Sequence, residues 1–187
     1  SREPNFKRPY SRIKFYQAPN SEGMIDAIFS LRPFNRLSAY FEITNQSIDS
    51  SYTNTDYSIW LGNVRLHYLL SENVNIIASY KYYNSKTGLN GGVDVDSISI
   101  TNPSSQIEQI IYDRYRAPVK YSNRHQEITG HNFNLRMLGK FMENSQTDFS
   151  IYYQTNLDEF RQNEYGGLEN VASIIDDNES KTVGANL

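Results

Sequence analysis

Apolar and polar residues alternate along most of this chain, and that alternation limits its fold more than any other feature. From residue 24 to residue 45 the odd positions are mostly apolar, as at Phe29 and Phe41, whereas the even positions carry polar residues such as Asp26 and Glu42. A period of two is typical of a β-strand with one apolar face. The sequence therefore predicts antiparallel β-structure throughout, with helix as a minority at most.

Short turns divide the alternating runs into β-hairpins. Three hairpins are predicted, at residues 24–45, 60–82 and 131–157, with turns at 33–36, at 71–73 and within 142–147. Fragments of further strands are predicted at residues 12–17 and 182–187, which gives about eight strand segments.

The predicted connections between hairpins are longer and more polar than the turns inside them. They cover residues 46–56, 84–130 and 158–181 and are rich in Asn, Ser, Asp and Gly. The strands are also long, about 10 to 12 residues against a usual 5 to 6 in soluble sheets. Alternating short turns and long loops, joined by strands of about 9 to 11 residues, are typical of transmembrane barrels.

The composition excludes several classes of protein and site. With no Cys, the chain has no disulfides, thiolate metal ligands or cysteine nucleophiles. A net charge of −3 and the lack of a basic run give no indication of nucleic-acid binding. No apolar run approaches the roughly 20 residues of a transmembrane helix, so a membrane-spanning form would have to be a barrel.

The hairpins and their turns, RPFNRL at 32–37 and LSENV at 70–74 among them, resemble the barrel portion of large Gram-negative outer-membrane proteins. The resemblance covers most of the chain and is to TonB-dependent receptors and porin-type barrels. It implies an all-β, antiparallel, up-and-down transmembrane β-barrel with short periplasmic turns and long extracellular loops. We expect residues 1–187 to form a single segment of it, a partial barrel, although a closed eight-stranded barrel also fits the count.

The resemblance also implies a function. A protein of this kind lies in the cell outer membrane of a Gram-negative bacterium, surrounded by outer-membrane lipids, and mediates passage of a solute or docking of a protein partner. No covalent chemistry and no cofactor are implied, so we do not expect an enzyme. A structural barrel that sheathes another protein is a second possibility within the same fold.

In such a barrel the two parities of each strand have separate roles. The apolar parity faces lipid or forms aromatic girdles, and its candidates are Phe29, Phe41, Trp60, Leu66, Tyr68, Ile76, Tyr80, Leu135, Ile151 and Tyr153. The polar parity faces a lumen, and its candidates are Arg32, Glu42, Arg65, His67, Lys81, Arg136 and Lys140. Basic residues outnumber acidic ones on this parity. The lumen would then either attract anionic solutes or pair its cations with carboxylates on other strands.

No residue pattern indicates catalysis or a resident metal. The three histidines match no zinc motif; we expect His67 to be a polar lumen residue, and His125 and His131 to be solvated residues of the long loop. The acidic stretches at 91–97 and 176–179 could offer oxygen ligands to Ca²⁺, but we expect both to be solvated loops.

A soluble carbohydrate-binding β-sandwich or jelly roll is the main alternative to a barrel. The two differ in where the apolar parity goes. A sandwich buries it against a second sheet, whereas a barrel leaves it facing outward; the residues that decide are Phe29, Phe41, Leu66, Ile76, Leu135 and Ile151.

Overall fold

A computed structural model describes residues 9–19, 22–49, 52–142 and 145–187 of the chain. Its strands are β1 (Tyr10–Ala18), β2 (Glu22–Phe34), β3 (Leu37–Ile48), β4 (Tyr57–Leu69), β5 (Val74–Gly88), β6 (His125–Met142), β7 (Ser145–Gln162) and β8 (Ile174–Asn186). They form one eight-stranded antiparallel sheet in which every strand pairs with its neighbours in sequence. The predicted all-β, antiparallel, up-and-down fold is thus confirmed.

Among the described residues, helix is confined to the connection between β5 and β6. Two short helices lie there, α1 (Val95–Thr101) and α2 (Ser104–Ile111). The Asp94 side chain caps α1 by accepting a hydrogen bond from the Ser97 backbone N–H at 3.1 Å. The expectation that residues 91–97 are a solvated loop is therefore wrong for their second half, which starts a helix. Neither helix is long and apolar enough to cross a membrane.

The short connections match the sequence prediction closely. The first turn is reduced to Asn35 and Arg36, because β2 continues through a register shift between Leu31 and Phe34. The second closes with the Leu70 N–H donating to the Val74 carbonyl at 3.0 Å. The turn predicted within 142–147 lies partly outside the described residues.

The long connections are shorter than predicted, because the strands continue into segments that the sequence assigned to loops. Within the described residues they cover 49 and 52–56, 89–124, and 163–173. The extended strand ends are mostly polar, with isolated apolar residues such as Ile128 and Phe160, so they lack the regular alternation from which strands are predicted. As a result His125 and His131 lie in β6 and residues 176–179 lie in β8, and the expectation that they are loop residues is wrong.

Cross-strand pairing divides the side chains between two faces of the sheet. Directly paired residues point to the same side, and successive residues point to opposite sides. The face called apolar here carries the row Phe29, Phe41, Val64, Tyr80, Phe133, Tyr153 and Val183. The opposite face, called polar, carries the row Glu42, Asn63, Lys81, Asn132, Gln154 and Thr182.

The sheet is open and uncovered in the part of the chain that the structure describes. β1 and β8 each have a strand on one side only, so the eight strands do not close into a barrel. Element contacts join only sequential strands and the two helices, so no described element packs on either face. The few buried apolar residues are Ala27, Ile28 and Ala39 in the sheet, with Ile98 and Ala117 between β5 and β6.

Candidate functional site: the two faces of the sheet and the loop layer

The apolar face carries a belt of exposed side chains that runs across all eight strands. All ten residues predicted to face lipid or form girdles lie on this face. Of the six that distinguish a barrel from a sandwich, five are between 38% and 43% exposed, and Ile76 is half-buried. Soluble monomers rarely expose an apolar surface of this extent.

Aromatic residues mark the middle and the ends of this belt. Trp60 and Tyr68, near opposite ends of β4, are 45% and 41% exposed. In a cross-strand row between those of Trp60 and Tyr68, the ring centroids of Tyr80 and Phe133 lie 4.6 Å apart. The centroids of the stacked Phe133 and Tyr153 rings lie 6.4 Å apart. Beside this aromatic row lies a shallow apolar groove of about 690 Å³, whose lining includes Leu66, Leu135 and Ile151.

The edge of the belt nearest the long loops runs obliquely across the sheet. Phe15 and Ile25 share one cross-strand row with Trp60, and the same row continues on later strands to Asn84 and Glu179. In this row Asn45 is the polar exception on β1–β4 and Leu157 is the apolar exception on β5–β8, so on most strands of the second group the apolar region ends closer to the short turns. When strands cross a flat slab at a tilt, the cross-strand rows are not parallel to the surface of the slab. The surface therefore meets successive strands in different rows, which produces such an oblique edge.

Five of the seven predicted lumen residues share the polar face: Glu42, Arg65, His67, Lys81 and Arg136. The other two, Arg32 and Lys140, fall where the pairing register shifts, so the register assigns them to neither face. The backbone N–H of Lys140 instead donates to the Asn73 carbonyl at 2.8 Å.

The polar face is a network of hydrogen bonds and ion pairs. The Arg136 Nε donates to Asp148 Oδ1 at 2.8 Å, and its Nη2 makes a second bond to Asp148 Oδ2, a bidentate pair. His67 Nε2 lies 3.3 Å from Asn75 Oδ1, so its ring is part of a polar pair. The Asn63 amide donates to the Glu42 carboxylate at 3.3 Å.

The positive excess expected on the polar face is not found on the described strands. Its basic residues are Arg12, Lys14, Arg65, Lys81 and Arg136. Its carboxylates are Glu22, Asp26, Glu42, Asp148, Asp158 and Asp176. The sequence prediction missed Arg12, whose Nη2 lies 2.7 Å from Asp26 Oδ2, because β1 appeared only as a fragment. The sequence left two roles open for the basic residues, attraction of anionic solutes and pairing with carboxylates. The geometry favours pairing.

Uncharged hydrogen-bonding side chains dominate the polar face of β5–β8. Asn132, Asn134, Gln154 and Asn156 form what we call the amide patch, and all four are half-buried. Two tyrosines lie across glycines beside it. A Cβ on Gly130 would lie 2.1 Å from Tyr83 Cε1, and one on Gly184 would lie 2.3 Å from Tyr152 Cζ.

The long connections are tied to one another in a loop layer at one end of the sheet. The Asn54 amide donates to the carbonyls of Tyr121 and Arg124, at 3.0 and 2.7 Å, which joins the β3–β4 and β5–β6 connections. Asn163, only 2% exposed, accepts from Leu168 N at 2.9 Å, and its own backbone N–H donates to Asn123 Oδ1 at 3.2 Å. No sequence pattern predicted this layer, since isolated asparagines are common in all loops.

The two histidines of β6 have structural neighbours. His131 lies on the apolar face, with its Nδ1 2.8 Å from the Tyr80 hydroxyl, and His125 pairs across the strands with Arg161. Among the described residues no group of His, Cys, Asp and Glu side chains is arranged to hold a metal ion.

Comparison with known proteins adds no functional information to this geometry. Neither a protein-family model nor a curated protein sequence matches the chain. The candidate functional surfaces are thus defined by their own chemistry: an apolar belt, a polar face behind it, and a loop layer at one end.

Proposed function

We propose that this chain forms part of the wall of a transmembrane β-barrel in the outer membrane of a Gram-negative bacterium, and that the barrel mediates passage of a solute. The apolar belt faces lipid, the polar face lines an aqueous lumen, and the loop layer lies on the outer side. The observation that carries the proposal is the exposed belt spanning the eight strands.

Hydrophobic burial favours a lipid environment for this face. Removing a Leu, Ile or Phe side chain fully from water is worth about 1.5–3 kcal/mol. The belt side chains are exposed by roughly four-tenths, as Leu66 (39%) and Ile151 (42%) illustrate. Summed over the belt, transfer to hydrocarbon would contribute on the order of 10 kcal/mol.

The dimensions of the belt also support a membrane. Trp60 and Tyr68 lie eight residues apart on β4, about 26 Å along the strand and about 19 Å when projected at a tilt of 45°. A transmembrane barrel has an apolar band of about 25 Å between its aromatic girdles. The oblique edge of the belt agrees with tilted strands.

Satisfying the backbone requires more strands than these eight. In hydrocarbon an unpaired strand edge leaves N–H and C=O groups without partners, at a cost of several kcal/mol each. The free edges of β1 and β8 must therefore pair with other strands, so we propose a partial barrel. We propose no covalent chemistry for it.

The alternatives receive less support from the geometry. A soluble sandwich needs a second layer over Phe29, Leu66 and Leu135, and no described element lies there. A barrel that sheathes a protein would place a partner against the polar face, and no feature of that face favours a protein over a solute.

Tryptophan placement tests the proposal, because the chain has a single Trp. In a Trp60→Phe background, Phe133→Trp puts the probe on the belt, and the adjacent Asn132→Trp puts it on the polar face. In lipid vesicles we expect brominated acyl chains to quench the first probe and aqueous iodide to quench the second. If iodide quenches both equally, or the protein stays outside the vesicles, the proposal is wrong.

A further inference from the structure

The amide patch and its two tyrosines form a surface suited to one class of solute. We infer that this surface binds a neutral, hydroxyl-rich molecule, an oligosaccharide, as it moves along the polar face. The inference rests on the proposed function, because it needs the polar face to line a lumen.

The hydrogen bonds of the amide patch leave capacity for a solute. The Asn132 amide donates to Gln154 Oε1 at 3.4 Å, and the Gln154 amide donates to Asn156 Oδ1 at 3.5 Å. Both distances are at the weak end of the hydrogen-bond range. A carboxamide offers two N–H donors and a two-lone-pair acceptor, and a sugar hydroxyl is likewise both donor and acceptor. A ladder of amides can therefore exchange its weak internal bonds for bonds to successive hydroxyls.

The tyrosines supply the apolar part of the recognition. The Tyr83 ring starts on β5, crosses over Gly130 on β6, and donates its hydroxyl to Asn156 Oδ1 on β7 at 2.8 Å. The ring lies against Gly130 and Tyr83 is only half-buried, so part of the ring is accessible from the space in front of the polar face. A sugar ring has an apolar C–H side that packs on such an aromatic surface.

The second tyrosine repeats this arrangement at a distance. Tyr152 lies across Gly184 on β8. Gly130 and Gly184 are two strands apart, and their rows are four residues apart along β7, at Asn156 and Tyr152. Standard strand spacing and rise separate the two tyrosine–glycine sites by about 16 Å. One short oligosaccharide could span both, whereas a monosaccharide could not.

The charge of this region favours a neutral solute. The three cross-strand rows that hold the amide patch carry one ionic side chain on β5–β8, Lys81. An anionic solute would lack a cluster of cations here. A peptide would need pockets for its side chains, and the patch offers only the two tyrosines.

Current block in planar lipid bilayers, measured on the full protein, tests the inference. The probes are maltohexaose, a galacturonate hexamer of the same length, and hexaalanine. We expect maltohexaose alone to block the ion current in a concentration-dependent way. Block by the galacturonate or the peptide with equal affinity would overturn the assignment to neutral sugars.

Matched variants locate the effect. Tyr83→Ala with Tyr152→Ala should weaken maltohexaose block at least tenfold, whereas Tyr83→Phe with Tyr152→Phe keeps the rings and should retain it. Tyr40→Ala is the control, since Tyr40 lies on the same face and in the same row as Tyr152, but on β3. Gln154→Leu provides a second test that leaves both rings in place, and it too should weaken the block.

The outcomes separate this inference from the proposed function. Failure of the protein to insert or conduct would contradict the barrel itself. A conducting protein that maltohexaose does not block, or whose block survives both the double alanine variant and Gln154→Leu, would overturn the sugar site and leave the barrel intact.

Discussion

Introducing an arginine at the centre of the belt distinguishes a sheet that faces lipid from a sheet that faces water, because the charge has a different energetic cost in the two environments. Leu135 is 43% exposed and pairs with Ala78 and Ile151 in a row inside the belt. In a bilayer, Leu135→Arg would bring a charge near the midplane, where the expected cost is about 2–4 kcal/mol. On a water-exposed sheet the same change should lie within about 0.5 kcal/mol of zero.

Equilibrium unfolding by urea in lipid vesicles, followed by Trp60 fluorescence, measures this difference. Asn134→Arg is the matched control, because it introduces the same charge at the adjacent position on the polar face, and we expect it to cost less than about 1 kcal/mol. Trp60→Arg, followed by circular dichroism, should also cost only about 0–1 kcal/mol because Trp60 lies at the rim. Stability unchanged by Leu135→Arg, or reduced equally by Asn134→Arg, would refute the assignment of the two faces.

Two further predictions concern local structure. Gly130→Ala should destabilise the protein by about 1–3 kcal/mol in urea unfolding, because the added Cβ would lie 2.1 Å from a Tyr83 ring atom. Combining it with Tyr83→Ala removes that clash and should recover most of the loss caused by Gly130→Ala. If the two changes are instead additive in the double mutant, the clash is not the cause. Asn163→Ala should lower the local stability of the loop layer by about 1–3 kcal/mol, because it removes the buried amide that accepts a hydrogen bond from Leu168 N. Hydrogen exchange at the Leu168 amide should then speed up, while exchange in β7 stays unchanged.

The alternating part of each strand could be predicted from the sequence. The hairpins, the two short turns and the face occupied by each of the ten belt residues follow from a period of two, because one side of those strands must be apolar. A residue such as Leu66 can therefore be assigned to a face from the sequence alone. What alternation cannot reveal is whether that face meets lipid, a second sheet or water.

The strand ends and the loop layer could not be predicted, for a physical reason. Beyond the belt, near Lys86, Glu127 and Asp177, both sides of the sheet are mostly polar, with Ile128 and Phe160 as isolated exceptions, so hydropathy has no regular period there although the backbone pairing continues. Pairing of this kind depends on the neighbouring strand, which a single segment does not specify. The same holds for Asn163, whose role depends on Asn123 forty residues earlier.

The extended strand ends bear on how the proposed barrel would carry its loops. On β6 and β7 the pairing runs six residues past the apolar belt, from His131 opposite Thr155 to His125 opposite Arg161. That is a rise of about 20 Å along the strands. Arg161 pairs with Glu159 on its own strand and with Asp177 of β8, so these two carboxylates of the polar extension share a cationic partner. A barrel built this way would continue as a wall above the lipid, and the loop layer would rest on that wall rather than on the membrane. A solute would then meet the loop layer first and the amide patch only after passing below it.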